Sequence, residues 1–195
     1  MLEISQLVTG SAKLGRQVLG IGLGLCRPKG GGDVQGFGHA AKHEKRLPRR
    51  FPMSRRDWLL LYIALKGSPA GIDPVKIQKG KFLMAMEGGL PDNENYAFRP
   101  YLYGPMSSPI YSDVERLEAE GLIEGDVVPG YTWKRYKATA AGIDVARNLL
   151  EDADPNGARK LFEIKRHVAA QRFPDLLRDV YAQYPQYATR SVFSG

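Results

Sequence analysis

Ten side chains in this sequence have the types and spacing to hold a polyanion. Ser107, Ser108, Tyr111, Ser112 and Arg116 lie in one stretch, SSPIYSDVER at 107–116. Lys134, Arg135 and Lys137 lie in another, WKRYK at 133–137, where cations alternate with aromatics. Lys76 and Lys79 add a third pair. Hydroxyls at the start of a helix, with a guanidinium one turn further on, can meet base edges, and cations neutralise phosphates and release counterions. Binding by such a set would be strongly salt-dependent. Catalytic chemistry is poorly supplied by comparison. His167 is the one histidine after residue 53 and sits in the helical run KLFEIKRHVAAQ, where a surface or packed role outweighs general-base work. Asp113, Glu115, Glu118 and Glu120 fall mostly on the polar side of an amphipathic helix. No oxygen-ligand spacing and no glycine-rich phosphate cradle accompanies them, so the expectation is no enzyme, no metal and no cofactor.

These groups must be carried by a small set of elements. Ser54 followed by Asp57 approximates a capping box before WLLLYIALKG, which predicts a helix over 54–66. Asp73-Pro74 opens a second helix over 74–87, stopped by Gly88-Gly89. An extended segment over 96–103 leads through the Gly104-Pro105 turn to a third helix, 109–120. Ser107 or Ser108 can cap that helix, Pro109 fits just inside its start, and Gly121 ends it. Strands over 122–124 and 131–138 follow, separated by Pro129-Gly130. Thr139 caps a fourth helix over 140–151, Asp154-Pro155 begins another reaching about 171, and Pro174 marks the last. A helix delivered by a turn and followed by a β-hairpin is the second half of a winged helix-turn-helix, in which the third helix enters the major groove and the wing grips the backbone.

Charge divides the chain. Residues 1–52 hold nine Lys/Arg against Glu3, Asp33 and Glu44, whereas residues 53–195 hold 19 basic and 18 acidic side chains. The formal charge of +7 therefore belongs mainly to the tail, and the body is nearly neutral. Ten of the 22 glycines also precede residue 53, which predicts a disordered, basic tail over 1–52. Met53 opens the well-formed part, 53–193, and a start of translation at Met53 is a further expectation. GIGLG at 20–24 lacks the strand and the third glycine of a dinucleotide loop, and His39 and His43 have no companion ligands. The single cysteine, Cys26, allows no disulfide within one chain, which fits a reducing compartment. No apolar run approaches the roughly 18–20 residues that span a bilayer, and bulky Leu25 argues against a signal-peptide cleavage site. A cytoplasmic protein with no membrane association is expected.

The third helix complicates the nucleic-acid reading. It carries Asp113, Glu115, Glu118 and Glu120 against Arg116 alone, and phosphate repulsion opposes burying it in a groove. Its first turn and the basic wing would have to carry the binding. The aromatic residues Tyr96, Phe98, Tyr101 and Tyr103 fit core and hairpin packing better than base stacking.

Three motifs, KIQKGKFLMAMEGGL at 76–90, FRPYLYGPMS at 98–107 and VERLEAEGLI at 114–123, resemble the YwgA-like and SocA (Panacea)-type small proteins of bacteria, archaea and phages. Lys76, Gln78, Lys79, Tyr103, Gly104, Pro105 and Ser107 carry the likeness, and VYAQYPQYATRSVF at 180–193 is similar to the family's closing helix and Tyr-Pro turn. Gly80 and Lys81 interrupt the leucine-rich continuation that the pattern has after K-x-Q-K, and the tail has no counterpart. The resemblance implies a winged-helix-like α+β domain encoded near toxin, phage or regulatory genes. Some such members resemble antitoxins or protease adaptors that bind a toxin protein, and others transcriptional regulators. The combined expectation is an α+β winged helix-turn-helix with additional C-terminal helices and a disordered N-terminal tail. It would be a non-enzymatic regulator with DNA as the leading partner and compatible with a homodimer. The alternative is an antitoxin-like or adaptor protein that binds a partner protein through its acidic third helix.

Overall fold

The structure, a computed structural model, describes residues 52–66 and 70–193. The expectations for the tail, including Cys26, His39, His43 and GIGLG, lie outside the described residues. The described part is α+β: six α-helices with two separate two-stranded antiparallel sheets.

Helix α1 (Arg55–Ala64) begins with a complete capping box, in which the Ser54 hydroxyl accepts from the Asp57 N–H and the Asp57 carboxylate accepts from the Ser54 N–H at 2.8 Å. Its six consecutive residues Trp58–Ile63 are all buried. A helix that is apolar all round belongs inside, and α1 packs against α2 (Pro74–Glu87), α3 (Ser108–Ala119), α4 (Ala140–Asp152), α5 (Pro155–Ala170) and strand β4 (Lys134–Ala138). Trp58 Nε1 donates to buried Glu94 at 2.8 Å, which fixes the 3₁₀ turn Asp92–Glu94 over the start of the core.

Helix α2 lies against α5 on one side and the first hairpin on the other. Its Gly80 has a steric reason. A Cβ at this position would collide with the Tyr62 ring and hydroxyl, so a leucine-rich continuation of K-x-Q-K cannot fit against α1 here. Phe82 of α2 takes three rings edge-on, Phe98, Tyr184 and Tyr187, at 4.7 to 5.3 Å between centroids. That cluster anchors the 3₁₀ turn Pro185–Tyr187, which follows α6 (Phe173–Gln183).

The extended run expected over 96–103 is shorter than the aromatic pattern suggests. Tyr96 is buried, and pairing is confined to β1 (Arg99–Tyr101) with β2 (Gly104–Met106), in the register Arg99 with Met106. Gly104 adopts φ +82° while packed against Leu177 and Tyr181, a conformation and a clearance that suit glycine. The second hairpin pairs β3 (Ile123–Val127) with β4 from Ile123 opposite Ala138 to Val127 opposite Lys134. Ile72 and Tyr136 exchange backbone hydrogen bonds of 2.8 and 3.0 Å, tying the segment before α2 to the middle of β4. Thr139 and Asp154 cap α4 and α5 by accepting from the Gly142 and Gly157 N–H groups. Asp73 stands at the N-cap of α2 without capping it, because its Oδ1 accepts from Arg135 Nε at 2.8 Å.

Candidate binding face

The start of α3 is positioned by an unusual clamp. Gln78, buried on α2, bonds the Ser107 backbone in both directions: its Nε2 donates to the Ser107 carbonyl and its Oε1 accepts from the Ser107 N–H, each at 3.0 Å. One residue on, Lys79 Nζ donates to the Pro105 carbonyl at 2.9 Å. The K-x-Q-K and Tyr-Gly-Pro motifs, far apart in sequence, thus meet in the interior. A pair of buried backbone groups finds its partners there rather than remaining orphaned. Burial pulls the Lys79 ammonium down to about 8. Ser107 occupies the N-cap of α3, yet its hydroxyl makes no cap and is buried without a partner. Its backbone, not its side chain, is what the fold uses.

This geometry corrects two of the ten residues expected to face a polyanion. Lys79 and Ser107 are 3% and 2% exposed, with their bonding groups turned inward, so no phosphate reaches them in this conformation. Lys76 is half-buried, and its Nζ donates to the Ala169 carbonyl at 3.4 Å. Ser108, Tyr111, Ser112 and Arg116 are exposed together on the outer side of α3. Lys134, Arg135 and Lys137 stand on β4, half-buried, and each already holds a carboxylate. Lys134 Nζ lies 2.8 Å from Glu118, Arg135 lies 2.8 Å from Asp73, and Lys137 lies 3.0 and 3.3 Å from Asp126 and Glu124. Hydrogen bonds to those carboxylates hold the Lys134 and Lys137 ammonium groups above their ordinary range.

Three of the four acids of α3 are tied up in the same way, and Glu115 is exposed. Asp113 is not on the solvated side at all. It is buried, accepting from Tyr96 Oη at 2.9 Å and from Arg55 Nε at 3.1 Å, while the Arg55 guanidinium lies 5.1 Å from the Tyr96 ring centre. Burial, reinforced by the Asp113 charge, pushes the Tyr96 hydroxyl well above its ordinary value. Glu118 pairs with Lys134, and Glu120 with Arg56 at 2.7 Å. The net acidity of the helix is therefore largely cancelled by neighbouring elements.

Beside Ser108, Ser112, Glu115 and Arg116, much of what remains outward is aromatic. Tyr101, Leu102 and Tyr103 at the first hairpin turn and Tyr111 on α3 are 42 to 47% exposed. Val127 and Tyr131 project from the tip of the second hairpin, where the Tyr131 and Trp133 rings sit 5.1 Å apart. Sequence reasoning assigned Tyr101 and Tyr103 to packing; only Tyr103 has a ring partner, Phe173, at 5.8 Å. His167 is exposed, 4.0 Å from Asp179. Among the described residues no group of three or more His, Cys, Asp or Glu side chains is arranged to hold a metal, and no helix is long and apolar enough to cross a membrane.

The chain matches no protein-family model and no curated protein.

Proposed function

We propose that this domain is a non-enzymatic binding module of winged-helix type whose partner is a protein, in the manner of an antitoxin or adaptor. The order of α1, α2, first hairpin, α3 and second hairpin supports the winged-helix plan. The observation that carries the choice of partner is the contrast on the candidate face. All three wing cations are already paired with carboxylates of this chain, while three tyrosines and a leucine are exposed over 101–111. Protein interfaces are enriched in exposed tyrosine and depleted of charge at their centre, and DNA interfaces are the reverse.

A second reading has its own support. Ser108, Tyr111 and Ser112 share the exposed start of α3, where a winged helix would read base edges, and Arg116 stands exposed in its last turn. Surface ion pairs are worth only about 0–1 kcal/mol, so phosphates can compete for the wing cations.

The two readings separate in one experiment with the full chain and its Tyr111→Arg and Lys134→Ala/Lys137→Ala variants. Capture from the native host should retain a discrete protein partner with the lysine variant and lose it with Tyr111→Arg. Mobility of the gene's own upstream DNA, at low and high salt, is the opposing arm. A low-salt shift abolished by the lysine variant, with no Tyr111-dependent protein, would replace the protein reading with the DNA one.

A further inference from the structure

A cavity of about 470 Å³ opens at the foot of β4, between the end of α1, the start of α2, α4 and α5, away from the exposed face of α3. Its lining holds five cations, Lys66, Lys76, Arg135, Lys137 and Lys165, and one carboxylate, Asp73. The charges do not balance within the site. Asp73 is engaged by Arg135, and Lys137 is satisfied by Glu124 and Asp126 on β3. Lys66, Lys76 and Lys165 are left facing the space with no carboxylate of this chain within ion-pair distance among the described residues.

Lys165 is the informative member. It is 3% exposed, held at 2.9 Å to the Tyr62 carbonyl and 4.7 Å above the Tyr62 ring. Those contacts use one of its three donors, and Lys76 is anchored through a single contact to the Ala169 carbonyl. Buried charges in proteins are normally paired, and here two ammonium groups from different helices converge without a counter-ion. Burial, with Lys76 adding repulsion, pulls Lys165 down to about 7. The remaining walls are apolar, formed by Ile63, Leu65, Ile72 and Ile143.

We propose that this cavity binds a small organic phosphate, with the phosphoryl oxygens between Lys76 and Lys165, Lys66 at the rim, and the organic part on Ile72 and Ile143. The excess of cations over carboxylates favours a dianionic phosphate over a monocarboxylate. The volume is that of an ordinary ligand pocket, too large for a bare ion and suited to one small ring with its phosphate. This assignment is independent of whether α3 meets protein or DNA.

The test uses the full chain, phenyl phosphate as the probe, inorganic phosphate as the anion alone and phenol as the uncharged control, followed by ¹H–¹⁵N shifts and calorimetry at low salt. Phenyl phosphate should bind saturably, moving the Ile72 and Ile143 amides, and more tightly than inorganic phosphate or phenol. Lys165→Met and Lys76→Met should each weaken it about tenfold or more, since each removes a charged hydrogen bond. Lys66→Ala, on an exposed side chain that cannot disturb folding, should weaken it a few-fold, by roughly the worth of a rim charge. No saturable shift with phenyl phosphate, or unchanged affinity in all three variants, would overturn the site. Equal affinity for phenyl and inorganic phosphate would overturn the assignment of the apolar wall.

Discussion

Lysines occupy two opposite environments in this protein. On β4, Lys134 and Lys137 stand at the surface and face carboxylates, 2.8 to 3.3 Å away. On α2 and α5, Lys79, Lys81 and Lys165 are 3% exposed or less and face backbone carbonyls, a ring or nothing. The surface pairs are held above their ordinary range, and the interior ones are pulled down to about 7 or 8 by burial. The difference teaches that a basic motif is not by itself a polyanion site. In K-x-Q-K the second lysine and the glutamine are internal fasteners that set where α3 begins, and the exposed cations are mostly neutralised in place.

The largest effect expected from this contrast is at Gln78. Gln78→Ala strips the side-chain partner from the buried Ser107 N–H and leaves the Ser107 carbonyl with the Ile110 N–H alone, at 3.3 Å, and urea unfolding should show a loss of about 1–3 kcal/mol. A change under about 0.5 kcal/mol would mean that the clamp does not hold α3. The interior lysines should then split by whether they have a partner. Lys79→Met orphans the Pro105 carbonyl and should cost about 1–2 kcal/mol, whereas Lys81→Met should stabilise the domain by about 1 kcal/mol at pH 7. Lys81 Nζ is buried with no hydrogen-bond partner, 5.7 Å from the Tyr96 ring centre, so its removal relieves a desolvated amine. Destabilisation by Lys81→Met would show that the ring contact outweighs burial.

The same groups fix the sign of the pH dependence. Lys81 and Lys165 lie at about 7 in the folded protein against an ordinary 10.5, and Lys79 at about 8. Between those values the unfolded chain binds more protons than the folded one, so stability rises with pH across the window. The unfolding free energy should increase from pH 7 to pH 9 by about 1 kcal/mol or more, and Lys81→Met should flatten the rise. A level or falling profile would remove the interior lysines from the account. The smallest effects belong to the surface: Lys134→Ala and Lys137→Ala should each change stability by less than about 1 kcal/mol.

Much of the scaffold was legible because its signals are local. Ser54 with Asp57, Thr139 and Asp154 announce helix starts through bonds three residues away, and α2 begins at Pro74 where the Asp-Pro pair predicts. The same Asp73 shows the limit. Its carboxylate is drawn to Arg135, 62 residues on, and local capping loses to a distant guanidinium. The burial of Lys79 runs against the rule that lysine is almost never enclosed, but the unbroken run Phe82-Leu83-Met84 and the glycine at 80 mark α2 as enclosed. The charge of α3 could not be read from the helix alone, since Asp113, Glu118 and Glu120 find their cations 58, 16 and 64 residues away.

The central claim is that the exposed tyrosine face of α3 and the first hairpin meets a protein. A photo-crosslinking amino acid placed at Tyr111, with Val145 on the exposed side of α4 as the control position, tests it directly in the native host. The account predicts one discrete protein adduct from position 111 and none from 145. Crosslinks to DNA from position 111 without a protein adduct, or the same adducts from both positions, would contradict it.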